Sequence, residues 1–201
     1  MKRMQYGAML LLLAACTAAG APDYYRLQPE NITAATCKRA ASIEVAQPSV
    51  APGLDSAHIA VIDRPQHVSF YQDVAWTANL PAVLQSYFVD AMEQSHAFAG
   101  VMAEGDAGPA AYRLDIAVRN FEVDQSGQGR RLRVRFSAVL RQGGQAVLRK
   151  SLDAEEDVSA MNIEGIAQQF NRSLDGLTQQ LLQTMQRKVR CGALPAQQPA
   201  A

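Results

Sequence analysis

An excess of charge of either sign is missing from this chain, whose 201 residues hold 19 Lys and Arg against 19 Asp and Glu. Such a balance builds no strong positive field, which excludes nucleic-acid binding of the usual electrostatic kind. Aromatic residues make up only 6%, with one tryptophan, Trp76. The three histidines, His58, His67 and His96, are scattered, and no two have the helical spacing of a zinc site. The three cysteines, Cys16, Cys37 and Cys191, include no Cys-x-x-Cys and have no neighbouring histidine, which argues against a metal site. Neither a Gly-x-Ser-x-Gly elbow, nor a phosphate-binding glycine loop, nor a Gly-x-Gly-x-x-Gly turn occurs. The acidic run Glu155-Glu156-Asp157 follows a strand pattern, where neighbours point to opposite faces and cannot form a carboxylate dyad. The expectation is a protein that is not an enzyme and needs no cofactor or metal. No apolar run reaches the roughly 20 residues that a helix needs to cross a hydrocarbon core.

What the chain does have begins at its N-terminus. Lys2 and Arg3 precede an uncharged apolar run over residues 8–15, which ends in Leu13-Ala14-Ala15-Cys16. Too short to span a bilayer, this run reads as a secretory signal with a cleavage site. The Leu-Ala-Ala-Cys stretch resembles a bacterial lipobox. The resemblance implies cleavage before Cys16, a thioether-linked diacylglycerol on its sulfur and an acyl group on the new amine. Two or more acyl chains anchor stably, at about 0.8 kcal/mol per buried methylene. An ordinary signal peptide that happens to end near a cysteine is the alternative. Cleavage removes Lys2 and Arg3 and leaves 17 basic against 19 acidic residues, a net charge of about −2.

The expected organisation is a lipoprotein signal peptide over residues 1–15, a lipidated N-terminus and tether over 16–36, one domain over 37–191 and a disordered tail over 192–201. Cys37 and Cys191 fall at the two ends of that domain, and an exported chain meets an oxidising compartment. Bridging them would close a loop worth roughly 5 kcal/mol on the entropic model. Two unpaired thiols remain the alternative.

Within the domain, Ile43 and Val45 alternate as in a half-buried strand, and residues 59–62 form a compact apolar run stopped by Pro65. Asn79, with Pro81 close behind, marks the start of a helix running to about Ser95. Tyr112, Leu114, Ile116 and Val118 occupy even positions before Phe121 and Val123 switch to odd ones, so one inserted residue near Arg119-Asn120 predicts a β-bulge. Leu132 to Leu140 restores even parity, and Gly143-Gly144 closes a hairpin into Leu148 and Leu152. Keeping one face apolar predicts a three-residue turn over residues 142–144, pairing Ala138 with Leu148 and Val134 with Leu152. From Ile163 to Val189 apolar residues recur at three and four, with Asn162 placed as a cap and basic residues at the far end. The fold class expected is α+β: an antiparallel sheet with two helices packed on one face.

Two surfaces invite a functional reading. Tyr71-Gln72-Asp73-Val74-Ala75-Trp76 places two aromatics around an acid between a strand and a helix. Aromatics so placed either pin a loop to the core or present an anchor to a partner, so Tyr71, Asp73 and Trp76 are partner-binding candidates. Arg131, Arg133, Arg135 and Arg149 line the polar side of the sheet beside Arg113, Asp115 and Asp153, as a mixed-charge surface or a docking face.

Taken in order, the lipobox, Tyr24-Tyr25-Arg26-Leu27, Ile59-Ala60-Val61 ahead of Arg64-Pro65, Tyr71-x-Asp73-x-x-Trp76 and the helix-opening Leu80-Pro81 resemble the ABC-type transport auxiliary lipoproteins. These are lipoprotein partners of MCE-type (Mla- and Pqi-like) systems of diderm bacteria. The resemblance implies a non-catalytic, periplasm-facing protein, with covalent lipid on Cys16 as its membrane attachment. Its implied partners are an MCE-domain protein, a permease and an ATPase that move phospholipids or related apolar molecules between membranes. Thr17 after Cys16 favours the outer membrane over the inner. The expected role is an adaptor that docks on an MCE tube or on copies of itself. A lipid carrier with an acyl-sized cavity and a generic envelope-assembly lipoprotein are the alternatives.

Overall fold

The computed structural model describes residues 22–36, 38–160 and 162–188. Cys16, Cys37 and Cys191, with the signal segment and the tail, lie outside the described residues.

The element order is β1 (Asp23–Tyr25), β2 (Ser42–Val45), β3 (Ser49–Val50), β4 (His58–Arg64), β5 (His67–Trp76), α1 (Leu80–Gln94), β6 (Gly100–Ala103), β7 (Tyr112–Asp124), β8 (Arg131–Gln142), β9 (Gln145–Asp157) and α2 (Ile163–Lys188). β7 is the spine. Its alternation buries Tyr112, Leu114, Ile116 and Val118, then Phe121 and Val123. The register against β8 slips between Val118↔Phe136 and Asn120↔Arg135, so the extra residue is Arg119, where the parity switch predicts a bulge.

On its other edge β7 is tiled by three short strands laid end to end: β2 at Tyr112–Leu114, β3 at Ala117–Val118 and β4 at Glu122–Asp124. All three run parallel to it, as do the β1–β5 and β2–β6 pairs. The sheet is therefore mixed rather than antiparallel, although the long ladders β4–β5, β7–β8 and β8–β9 are antiparallel. The reason is connectivity. β2, β3 and β4 meet β7 across the β4–β5 hairpin, α1 and β6, a connection long enough to let partners run parallel, where a tight turn would force them antiparallel.

The β8–β9 turn also departs from expectation. Gly143 and Gly144 form a two-residue turn at φ 54° and 80°, with Gln142 paired to Gln145. The register then slips between Arg141↔Ala146 and Leu140↔Leu148, leaving Val147 as the extra residue. The face stays apolar, with Phe136 opposite Leu152, but a bulge rather than a third turn residue restores the parity. Ala138 consequently faces Lys150, and Val134 faces Ala154.

Both helices lie on the face that these alternations bury. α1 packs over β2, β3 and β6, and α2 over β8 and β9. Phe88 of α1 meets Phe136 of β8 edge-on, and Phe170 of α2 stacks on Phe121 of β7 at 4.5 Å. The α2 stripe Ile166, Phe170, Leu174, Leu177, Leu181 and Met185 is buried throughout. Each such side chain contributes roughly 1.5–3 kcal/mol by leaving water. Asn162 caps α2, its Oδ1 accepting the Gly165 N–H at 3.0 Å. Asn79 sits at the N-cap of α1 but makes no side-chain cap; its amide instead donates to Asp55 at 3.4 Å.

The domain begins ahead of the boundary expected at residue 37. β1 pairs with the end of β5, Tyr25 opposite Trp76, and Leu27 is 3% exposed. A three-residue strand gives too short a pattern for periodicity to separate it from a tether.

Candidate functional site

The segment expected as a loop with an aromatic anchor is the second half of β5. Between His58↔Ala75 and Ala60↔Phe70, β4 advances two residues while β5 advances five, so three residues are extruded as a wide bulge. Asp73 lies in it, exposed and at φ 57°, a conformation that aspartate tolerates better than most residues. Tyr71 is half-buried against the core, and its hydroxyl is buried without a hydrogen-bond partner among the described residues. Trp76 is 1% exposed and meets Phe121 at 5.9 Å and Phe170 at 5.7 Å, both edge-on. The three candidates therefore do not converge on one surface. Trp76 takes the core-pinning role, because a strand residue under α2 buries its whole indole, and Asp73 alone is displayed.

A second feature went unread in the sequence. Residues 28–33 form a strap over α2, held by side chains at three successive turns of that helix. Asn171 Oδ1 accepts the Gln28 N–H at 2.8 Å, Asp175 Oδ2 accepts those of Glu30 and Asn31 at 3.2 Å each, and Gln179 Oε1 accepts that of Thr33 at 2.8 Å. Asp175, 3% exposed, is satisfied on its other oxygen by the Tyr87 hydroxyl of α1, which donates at 2.6 Å. Burial, reinforced by that carboxylate, pushes the Tyr87 hydroxyl far above its ordinary range, so it remains a donor. Gln94 of α1 donates to Pro29 O at 3.0 Å, tying the strap to the second helix as well. The sequence signal was the polar series Asn171, Asp175, Gln179 at i, i+4, i+8 beside the apolar stripe.

The sheet face away from the helices carries the expected arginines. Arg113 joins Glu44, Glu104 and Asp115, and Arg141 also reaches Asp115, at 2.7 Å. Arg131 pairs with Glu155 at 2.7 Å, while Arg133 pairs with Asp124 and, at 3.4 Å, with Glu155. Arg135 and Arg149 make no ion pair among the described residues. The hydrogen bond from Arg113 holds the Glu104 carboxyl below the usual carboxylate range. The face is of mixed sign, and exposed pairs of this kind add little stability. His67 pairs with Asp63 at 2.6 Å, and the His58 ring lies 6.1 Å from that of Phe70. Among the described residues no helix is long and apolar enough to cross a membrane.

Comparison with known proteins agrees with this architecture. A solved protein from Xanthomonas campestris, XCC0632, shares the fold with a TM-score of 0.70 and 24% identity, over 79% of this chain and 91% of that one. A second solved structure, of an uncharacterized protein, superposes with a TM-score of 0.66 at 12% identity, over 83% of this chain and 99% of that one. An uncharacterized protein of Bradyrhizobium diazoefficiens, bll6063, is 21% identical over 171 residues, 83% of this chain. The chain spans 46% of that relative's length. The model of the ABC-type transport auxiliary lipoprotein component matches residues 25–182, from the end of β1 well into α2, and the chain belongs to that family.

Proposed function

We propose that this protein is a non-catalytic adaptor, held by lipid on Cys16 at the periplasmic face of the outer membrane, that serves an MCE-type ABC system moving phospholipids or related apolar molecules. Its partners in this reading are the MCE-domain protein with its permease and ATPase. The family supports a role beside an ABC transporter. The observation that favours an adaptor over a lipid carrier is the content of the layer between helices and sheet. There Trp76, Phe121 and Phe170 form one ring cluster and Tyr87, Phe88 and Phe136 another, all at most 2% exposed. An acyl chain entering that layer would have to displace packed rings, at a cost typical of overpacked cores, about 1–3 kcal/mol or more. Recognition then falls to the outer surfaces.

The strap supports the anchored geometry. Seven Cα steps separate Cys16 from Asp23, a reach of at most about 25 Å, and from there β1 and the strap fasten the chain to β5 and to both helices. A lipidated Cys16 would thus hold the domain close to the bilayer rather than on a long leash. Complementation tests this. In cells lacking the gene, the wild-type chain restores envelope lipid balance, and Cys16→Ser, folded and exported, does not. Full rescue by Cys16→Ser would overturn the anchored reading.

A further inference from the structure

Beside the strap a groove of about 490 Å³ runs between residues 25–31 and the first half of α2. Its lining includes two arginines, Arg26 and Arg172, and two acidic residues, Glu30 and Glu164. No ion pair joins any of the four among the described residues. Unpaired charges of both signs around one concavity are arranged for a ligand that carries both signs itself. Asn171 stands in the same wall, 7% exposed. Its Oδ1 accepts the Gln28 N–H at 2.8 Å, which orients the amide and leaves Nδ2 as a buried donor without a partner among the described residues. Burying such a donor unpaired costs about 1–3 kcal/mol, a cost that is relieved once the wall yields enough to bring a ligand oxygen to it.

We infer that this groove binds the headgroup of a zwitterionic phospholipid. Its phosphate is taken by Arg26 and Arg172 beside Asn171, and its ammonium by Glu30 and Glu164. Guanidinium groups suit phosphate through paired N–H donors, and the volume lies within the range of small-molecule sites, about 300–1,000 Å³. The membrane is the source of the ligand, because the wall that opens at Tyr25 begins nine residues after Cys16, a reach of at most about 32 Å. The inference rests on the lipid-anchored reading but not on the identity of the transporter. The groove therefore grips a lipid at its polar end and leaves the acyl chains outside the domain.

The test uses the full chain, purified with its own N-terminus in an uncharged detergent, and follows the side-chain amide resonances of Asn171. Dihexanoylphosphatidylethanolamine should move them saturably. Inorganic phosphate and dihexanoylphosphatidylglycerol should each bind at least about tenfold more weakly, whereas glycerophosphoethanolamine, which carries the same headgroup without acyl chains, should bind comparably. The double variant R26Q/R172Q, both sites being exposed, should keep the native unfolding midpoint and lose the response. Three results would overturn the inference: no shift with the zwitterionic lipid, equal binding of inorganic phosphate or dihexanoylphosphatidylglycerol, or full binding by the double variant. Intact mass reports lipidation of Cys16 separately, and the titration contains no transporter protein, so failure of those readings is distinguishable from failure of the groove.

Discussion

Replacing Trp76 by alanine separates the two roles that its position allows. In the structure the indole is 1% exposed and wedged edge-on against Phe121 and Phe170, which themselves stack at 4.5 Å. Truncation removes the buried ring, opens a cavity and breaks two aromatic contacts, for which large-to-small core substitutions cost about 3–5 kcal/mol. In a chain of this size each kcal/mol shifts the melting temperature by about 2–4 °C, so a loss of roughly 6–20 °C is expected. Trp76→Phe keeps a ring in the cluster and should cost only about 1–2 kcal/mol. Urea and thermal unfolding followed by far-ultraviolet circular dichroism measure both, since the fluorescent reporter disappears with the substitution. Wild-type emission should be blue-shifted and poorly quenched by acrylamide. A Trp76→Ala variant that unfolds with the wild-type midpoint yet loses partner capture would refute the reasoning and restore Trp76 as a surface anchor.

Other consequences follow from named contacts. Tyr87→Phe deletes the hydroxyl that donates to Asp175 at 2.6 Å; it should cost about 1.5–3 kcal/mol and speed hydrogen exchange at the Glu30 and Asn31 amides. Gly144→Val places a β-branched residue at φ 80° in the β8–β9 turn; a loss of about 1–2 kcal/mol or more in unfolding free energy is expected. Burial holds the Glu122 carboxyl above its ordinary range, despite hydrogen bonds from Asn120 and the Phe121 N–H. Because the folded state then retains its proton longer than the unfolded one, stability is fullest below the unfolded pKa, about 4.3, and declines as pH rises through the folded value. Urea midpoints measured from acid to neutral pH should show that part of the decline vanish in Glu122→Gln, and a parallel decline in the variant would contradict the assignment.

Much of the second half of the fold was legible because its signals are local. The parity switch around Arg119 named the bulge, and the three-four recurrence from Ile163 onward drew α2 with its Asn162 cap. The apolar-face rule kept the β8–β9 face correct even though a bulge at Val147 does what a third turn residue was expected to do. Non-local features were not legible. Nothing in residues 42–62 says that three short strands will lie in file along β7, since parallel pairing through a crossover leaves no turn chemistry to read. Trp76 was weighed between core and surface because sequence shows the segment's composition but not that α2, almost a hundred residues later, covers it. The strap was missed for a related reason: Asn171, Asp175 and Gln179 look like a solvated face until the backbone that they bind is laid against them.

The adaptor reading is tested most directly by capturing the full-length, membrane-inserted protein from mildly solubilised envelopes and quantifying what elutes with it. The account predicts that the MCE-domain protein co-elutes together with its permease and ATPase, and that no phospholipid acyl chain is buried in the domain. Stoichiometric lipid enclosed between helices and sheet, with the transport proteins absent, would contradict it.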